Sequence, residues 1–133
     1  MHANVKSIAE ACSKAAEDGS LNFPQILGKL GDAGIESYLV DYRRALKTYY
    51  LPGGESVDVL DSHRHGGVAA AFDAARVAAA VGQSQRGEHS YMEFSEKVIA
   101  AGCVGYIVSI LGRRVVYFGR TAETHVEHFP PAP

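Results

Sequence analysis

Apolar residues near the start of the chain recur at helical spacing. Val5, Ile8, Ala9 and Cys12 lie along an alanine-rich run that predicts a helix over about 3–18. A second, more apolar run of the same kind predicts another over about 68–86. Each is followed by a polar pair at capping-box spacing, Asn22 with Gln25 and Ser90 with Glu93, so a short helix starts at each. Gly34 and Gly102 close these short helices, as Gly19 and Gly87 close the long ones, because a helix often ends on a left-handed residue. Beyond them the pattern changes to strand-like runs rich in Tyr, Val and Ile: "SYLVDY", "KTYYLP", "GYIVSI" and "RVVYFG". They pair into two hairpins that turn near 43–45 and 111–113. "VDVL" from Val57 and "VEHF" from Val126 resemble each other once one residue slips, and predict a third short strand in each half.

These marks repeat. Sliding the chain by 68 residues sets "NFPQILGKLGDAGIESYLVDYRRALKTYYLP" over "SYMEFSEKVIAAGCVGYIVSILGRRVVYFGR" without a gap. Lys29, Ala33, Gly34, Tyr38, Val40 and Tyr49 then match Lys97, Ala101, Gly102, Tyr106, Val108 and Tyr117. The segment 52–67, rich in Gly, Pro and Asp, reads as a connector. Neither half alone buries its hairpin, since a lone hairpin is marginal in water. The expected fold class is therefore α+β, in one domain over 1–133. Two repeats of helix, helix, strand, strand and strand, about 3–60 and 68–130, pack about a pseudo-twofold axis. Their strands form a mainly antiparallel sheet with helices on one face.

Composition narrows the function. At 133 residues, 47% hydrophobic and 21% charged, the chain has the makeup of a globular domain rather than of a disordered or membrane protein. A formal charge of −2 gives no electrostatic reason to expect nucleic acid. Lys6, Glu10, Lys14, Glu17 and Asp18 interrupt what would be the apolar segment of a signal peptide, so a cytoplasmic location is expected. The apolar stretch 68–81 is too short for a membrane span and contains Asp73 and Arg76. Cys12 and Cys103 read as free thiols packed in the core, Cys103 standing where the first half has Ile35.

The residues "AAGCVGY…GRRVVYFGR…HVEHFP", with "FPQILGKLGDAGIESYLVD…TYYLP", resemble the YdfO/YbcV-like family of bacterial and prophage proteins, sometimes labelled phage envelope protein. The resemblance covers nearly all of 22–130. It implies a small cytoplasmic α+β protein of unknown function and supplies no catalytic residues to carry over.

Three groups of side chains could carry chemistry. Tyr38, Tyr42, Tyr49, Tyr50, Tyr106 and Tyr117 place six phenols on four strands, which could line an amphipathic cleft able to fix a polar ligand. Arg114, with Arg43, Arg44 and Arg113, lies at the hairpin turns, where guanidinium groups suit anions. Asp61, His63 and His65 in the connector, and His125 and Glu127 near the C-terminus, are nitrogen and oxygen ligands suited to a divalent metal if the two groups converge. In a strand, His125 and His128 face opposite ways, so Glu127 is the neighbour that shares a face with His125.

No set of nucleophile, base and orienting group stands out. The leading expectation is a non-enzymatic accessory module that binds a small molecule or a protein partner, with no cofactor, nucleic acid or membrane. The alternative is a metal-dependent hydrolase using the Asp61, His63, His65, His125 and Glu127 groups. A third reading is a homodimer through strand edges.

Overall fold

The computed structural model describes residues 2–61 and 66–129. Its elements are α1 (His2–Asp18), α2 (Phe23–Asp32), β1 (Ser37–Asp41), β2 (Leu46–Tyr50), β3 (Ser56–Leu60), α3 (Ala74–Gln85), α4 (Tyr91–Ala100), β4 (Cys103–Ser109), β5 (Arg114–Gly119) and β6 (Thr124–His128). The strands form a single antiparallel sheet in the order β3-β2-β1-β4-β5-β6, and the helices pack on one side of it, as an α+β fold.

Local chemistry explains where the short helices begin. The Asn22 side chain accepts from the Gln25 amide at 2.9 Å while the Gln25 side chain accepts from the Asn22 amide at 2.9 Å. Ser90 and Glu93 make the same reciprocal pair at 3.1 and 2.8 Å. Each box satisfies two amides that a helix start leaves without partners. Ile26 and Leu30 on α2, and Phe94, Val98 and Ile99 on α4, then face the core.

Two boundaries differ from the sequence expectation. The helix expected over 68–86 starts only at Ala74, because Asp73 caps it through the Arg76 amide at 3.1 Å. The preceding residues instead run along the end of α4, where the Ala69 amide donates to the Ile99 carbonyl at 3.3 Å and the Asp73 amide to the Ala101 carbonyl at 2.7 Å. Alanine-rich propensity favours helix here, but these non-local bonds and the packing of Phe72 override it. The third strands also need no slip, since Ser56 and Thr124 open them 68 residues apart. Leu46 lies opposite Leu60 as Arg114 lies opposite His128.

Gly34 and Gly102 adopt φ of 90° and 91°, the left-handed region, as the closing of both short helices requires. Their surroundings differ. A Cβ at Gly34 would come no nearer than 3.9 Å to Leu51, whereas one at Gly102 would collide with the Ala71 carbonyl oxygen and the Phe72 backbone. Gly34→Ala is expected to cost about 1–2 kcal/mol of backbone strain. Gly102→Ala is expected to cost about 1–3 kcal/mol more, because backbone must also move. Urea midpoints of the two variants check this, and equal losses would contradict it.

Alternation along the strands sorts side chains to two faces. Tyr38, Val40, Tyr49, Val59, Tyr106, Val108, Val115 and Tyr117 are buried toward the helices. Leu39, Ile107, Val116 and Val126 lie opposite one another in register on the other face, which no described helix covers.

Candidate functional site

The structure gathers the five tyrosines Tyr38, Tyr42, Tyr49, Tyr106 and Tyr117, but not around an open cleft. All are 6% exposed or less, closed between sheet and helices. Tyr38 stacks on Tyr49 with centroids 5.1 Å apart, and Tyr106 meets Tyr117 at 5.3 Å and Tyr42 at 6.0 Å. Their hydroxyls are used inside the core. Tyr42 donates to Ser95 Oγ at 3.3 Å, and the Tyr106 hydroxyl pairs with that of Tyr91 at 2.9 Å. Burial pushes the phenols of all five well above the usual tyrosine range, reinforced by neighbouring phenols. The expected ligand cleft is thus a filled aromatic core, because the helices lie over the face that holds the tyrosines. Tyr50 stands apart, partly exposed at the end of β2.

The arginines do not join this cluster. Arg114 is exposed on the open face, with its Nε donating to the Gly112 carbonyl at 3.3 Å. The Arg43 and Arg44 amides donate to the Asp41 carboxylate, which shapes their turn. Arg113 lies over the Phe129 ring at 5.7 Å.

The described members of the expected metal group are separated. His125 Nε2 meets Glu127 Oε2 at 2.6 Å on β6, where the His125 ring also stacks on Tyr117. Asp61 follows β3, at the opposite edge of the sheet. Five strand spacings, roughly 24 Å, lie between these edges. Asp61 and the His125–Glu127 pair therefore share no site. His63 and His65 lie outside the described residues. Among the described residues, no three or more His, Cys, Asp or Glu side chains come together to hold a metal ion.

Both cysteines are free and buried. Cys103 donates from its Sγ to the Gly105 carbonyl at 3.1 Å, and burial pushes its thiol up to about 11. Burial also raises the Cys12 thiol, with Lys29 opposing it in part. Neither environment activates a nucleophile.

Two features were not singled out from the sequence. The first is Lys47, only 3% exposed, whose Nζ donates to Ser13 Oγ at 2.9 Å, lies 4.0 Å from Asp61 Oδ1 and sits 4.9 Å from the Tyr91 ring centroid. Strand parity contains the signal, since Lys47 is two residues from Tyr49 and must share its inward face. The second is the open sheet face. There Leu39, Ile107, Val116 and Val126 form a continuous apolar row across four strands, with Ile107 43% and Val126 39% exposed. A groove of about 580 Å³ between α1 and α2 is lined by Val5, Ile8, Cys12 and Leu21, with Lys29 and Asp32. No helix is long and apolar enough to cross a membrane among the described residues.

No family model matches the chain. It is similar to the uncharacterized proteins Rv2012 and MT2067 of Mycobacterium tuberculosis (strains H37Rv and CDC 1551) and Mb2035 of Mycobacterium bovis. Each is 30% identical over 113 residues, covering 80% of this chain. The chain spans 66%, just under two thirds, of the length of these mycobacterial relatives.

Proposed function

We propose that the protein is a non-catalytic binding module that engages a protein partner through the open face of its sheet. The observation that carries this reading is the row of Leu39, Ile107, Val116 and Val126, apolar across four adjacent strands and under no described helix, with Ile107 and Val126 exposed and Leu39 and Val116 half-buried. Contiguous exposed apolar surface on a folded domain marks a docking surface more often than an accident of composition. The burial of the tyrosines and cysteines supports it further, since the groups that might act on a small substrate are used in packing.

The module is an internal duplication of a helix-helix-strand-strand-strand unit. Support comes from the capping boxes and third strands 68 residues apart, and from the central pairing. β1 and β4 pair symmetrically about Leu39 and Ile107, themselves 68 residues apart, as a local twofold between equivalent strands requires.

A thiol placed on the open face tests the binding reading, because the two native cysteines are buried. Ile107→Cys carrying a photo-crosslinker is expected to capture a protein in the native host. The same label on Glu96→Cys, on the exposed side of α4, is expected to capture none. Equal capture at both positions, or none at 107, would overturn the proposal. Cys103 is expected to take up almost no label unless the protein unfolds, since at pH 8 a thiol at about 11 is ionised in roughly one molecule in a thousand.

A further inference from the structure

The sheet ends in two strands that are paired on one side only among the described residues, β3 at one edge and β6 at the other. Hydrogen-bond parity fixes which groups of β6 point outward. The Gly119 amide donates to the Glu123 carbonyl at 2.9 Å and the Phe129 amide to the Arg113 carbonyl at 2.8 Å, so the bonded partners of β5 on this side are alternate residues in step with Glu123 and Phe129. Thr124, Val126 and His128 fall on the other parity. Their amides and carbonyls face away from β5, along an edge where Val126 is 39% exposed. We infer that this edge binds a second copy of the chain, β6 pairing antiparallel with β6 about a twofold axis at Val126.

Register and side-chain chemistry select this arrangement. Centred on Val126, it sets Val126 opposite its own copy and Thr124 opposite the partner's His128, so outward groups meet outward groups along the whole strand. His125 and Glu127 pair with Tyr117 and Val115 and so lie on the helix side, half-buried. There the twofold places His125 opposite the partner's Glu127, and Glu127 opposite the partner's His125. Within one chain His125 Nε2 already meets Glu127 Oε2 at 2.6 Å, so the dimer closes a ring in which imidazoles and carboxylates alternate. Such cross-strand pairs are favourable. Sliding the partner by one residue sets outward groups against inward ones. Sliding it by two sets His125 against His125 or Glu127 against Glu127.

The other edge offers no equivalent. On the same parity the outward residues of β3 are Ser56, Asp58 and Leu60, because the Leu51 amide donates to the Glu55 carbonyl and the Asp61 amide to the Ala45 carbonyl. Full pairing of β3 with itself sets Asp58 directly opposite Asp58, and like charges so placed are destabilising. Pairing β3 with β6 sets His125 and Glu127 opposite valines, and its head-to-tail contact does not close on itself.

An edge of five residues makes a small interface, so the dimer dissociates on dilution. Sedimentation velocity across a series from about 1 to 300 μM is expected to move the mass from 14.2 kDa toward twice that value. Val126→Pro removes an outward N–H that β5 does not use, and is expected to weaken dimerisation by about tenfold or more with circular dichroism unchanged. Ser56→Pro, at an outward position of β3, is expected to leave the dimer intact. His125→Glu is expected to weaken it by setting carboxylates opposite one another, and adding Glu127→Lys to the same chain is expected to restore it. These last two variants keep every backbone amide, so they decide the matter even if Val126→Pro disturbs the fold. A wild type monomeric at every concentration, a dimer lost with Ser56→Pro, or a double variant no better than His125→Glu overturns the inference. The open-face reading is independent of it, since crosslinking at position 107 reads that face and not the edge.

Discussion

Raising the pH beyond 10 is expected to unfold the protein over a narrow interval, with five phenols ionising together as the fold is lost. In an unfolded chain a tyrosine ionises near pH 10. In the folded protein, burial holds Tyr38, Tyr42, Tyr49, Tyr106 and Tyr117 protonated well above that value. Below pH 10 both states keep these protons, and the groups contribute no pH dependence. Above it the unfolded chain has released protons that the folded chain retains, so stability falls as pH rises. Each group contributes a slope of about 1.4 kcal/mol per pH unit, and five together about 7 kcal/mol. Against a typical stability of about 5–15 kcal/mol, the midpoint falls near pH 11 to 12. The main rise in tyrosinate absorbance, that of the five buried phenols, is expected to coincide with the loss of far-ultraviolet circular dichroism on the same samples, while the exposed Tyr50 ionises independently of unfolding. Tyr38→Phe is expected to make the transition shallower by one group. Tyrosinate formation by most of the seven tyrosines with native circular dichroism intact beyond pH 11 would sink the argument.

That tyrosine core shows where sequence reasoning succeeds and where it stops. The capping boxes at Asn22 and Ser90 were legible because a cap is made within four residues, and the structure forms both. The strands were legible for the same reason, since alternation along "SYLVDY" and "RVVYFG" is local. The start of α3 was not, because the bonds that hold 69–73 out of the helix come from Ile99 and Ala101, about 30 residues away. Nor was the fate of the tyrosines. Parity set them on one face, but only tertiary packing decides whether that face opens as a cleft or lies under helices. The described members of the metal group, Asp61 and the His125–Glu127 pair, were parted by topology: β3 and β6 lie at opposite edges, a consequence of β1 pairing with β4 at the centre. The open-face row was hidden differently, since Leu39, Ile107, Val116 and Val126 are scattered along the sequence and become contiguous only through the register.

Replacing Lys47 alone is expected to be among the most destabilising single changes, and replacing its whole cluster is expected to undo most of the loss. Lys47→Val removes a cation from beside Asp61, whose side chain is 3% exposed, and takes the donor from Ser13 Oγ. Removing one partner of a buried ion pair costs about 3–5 kcal/mol. Under the proposed duplication, the positions of Ser13, Lys47 and Asp61 correspond, 68 residues on, to Val81, Val115 and Phe129. Val81 and Val115 are 6% and 4% exposed, and Phe129 packs against the core, so the second half fills the equivalent space with apolar groups alone. The variant combining Ser13→Val, Lys47→Val and Asp61→Phe is therefore expected to fold within about 1–2 kcal/mol of wild type, because apolar replacement of a buried ion pair is often neutral or stabilising. Urea unfolding at neutral pH compares the single and triple variants. A harmless Lys47→Val would mean the ion pair contributes nothing, and a triple variant as unstable as the single would remove the equivalence between the halves. If both expectations hold, stability is not the reason the first half keeps this cluster. Lys47 meets α1 through Ser13, the end of β3 through Asp61 and α4 through Tyr91, so its three partners specify how the helices of the two halves seat on one sheet.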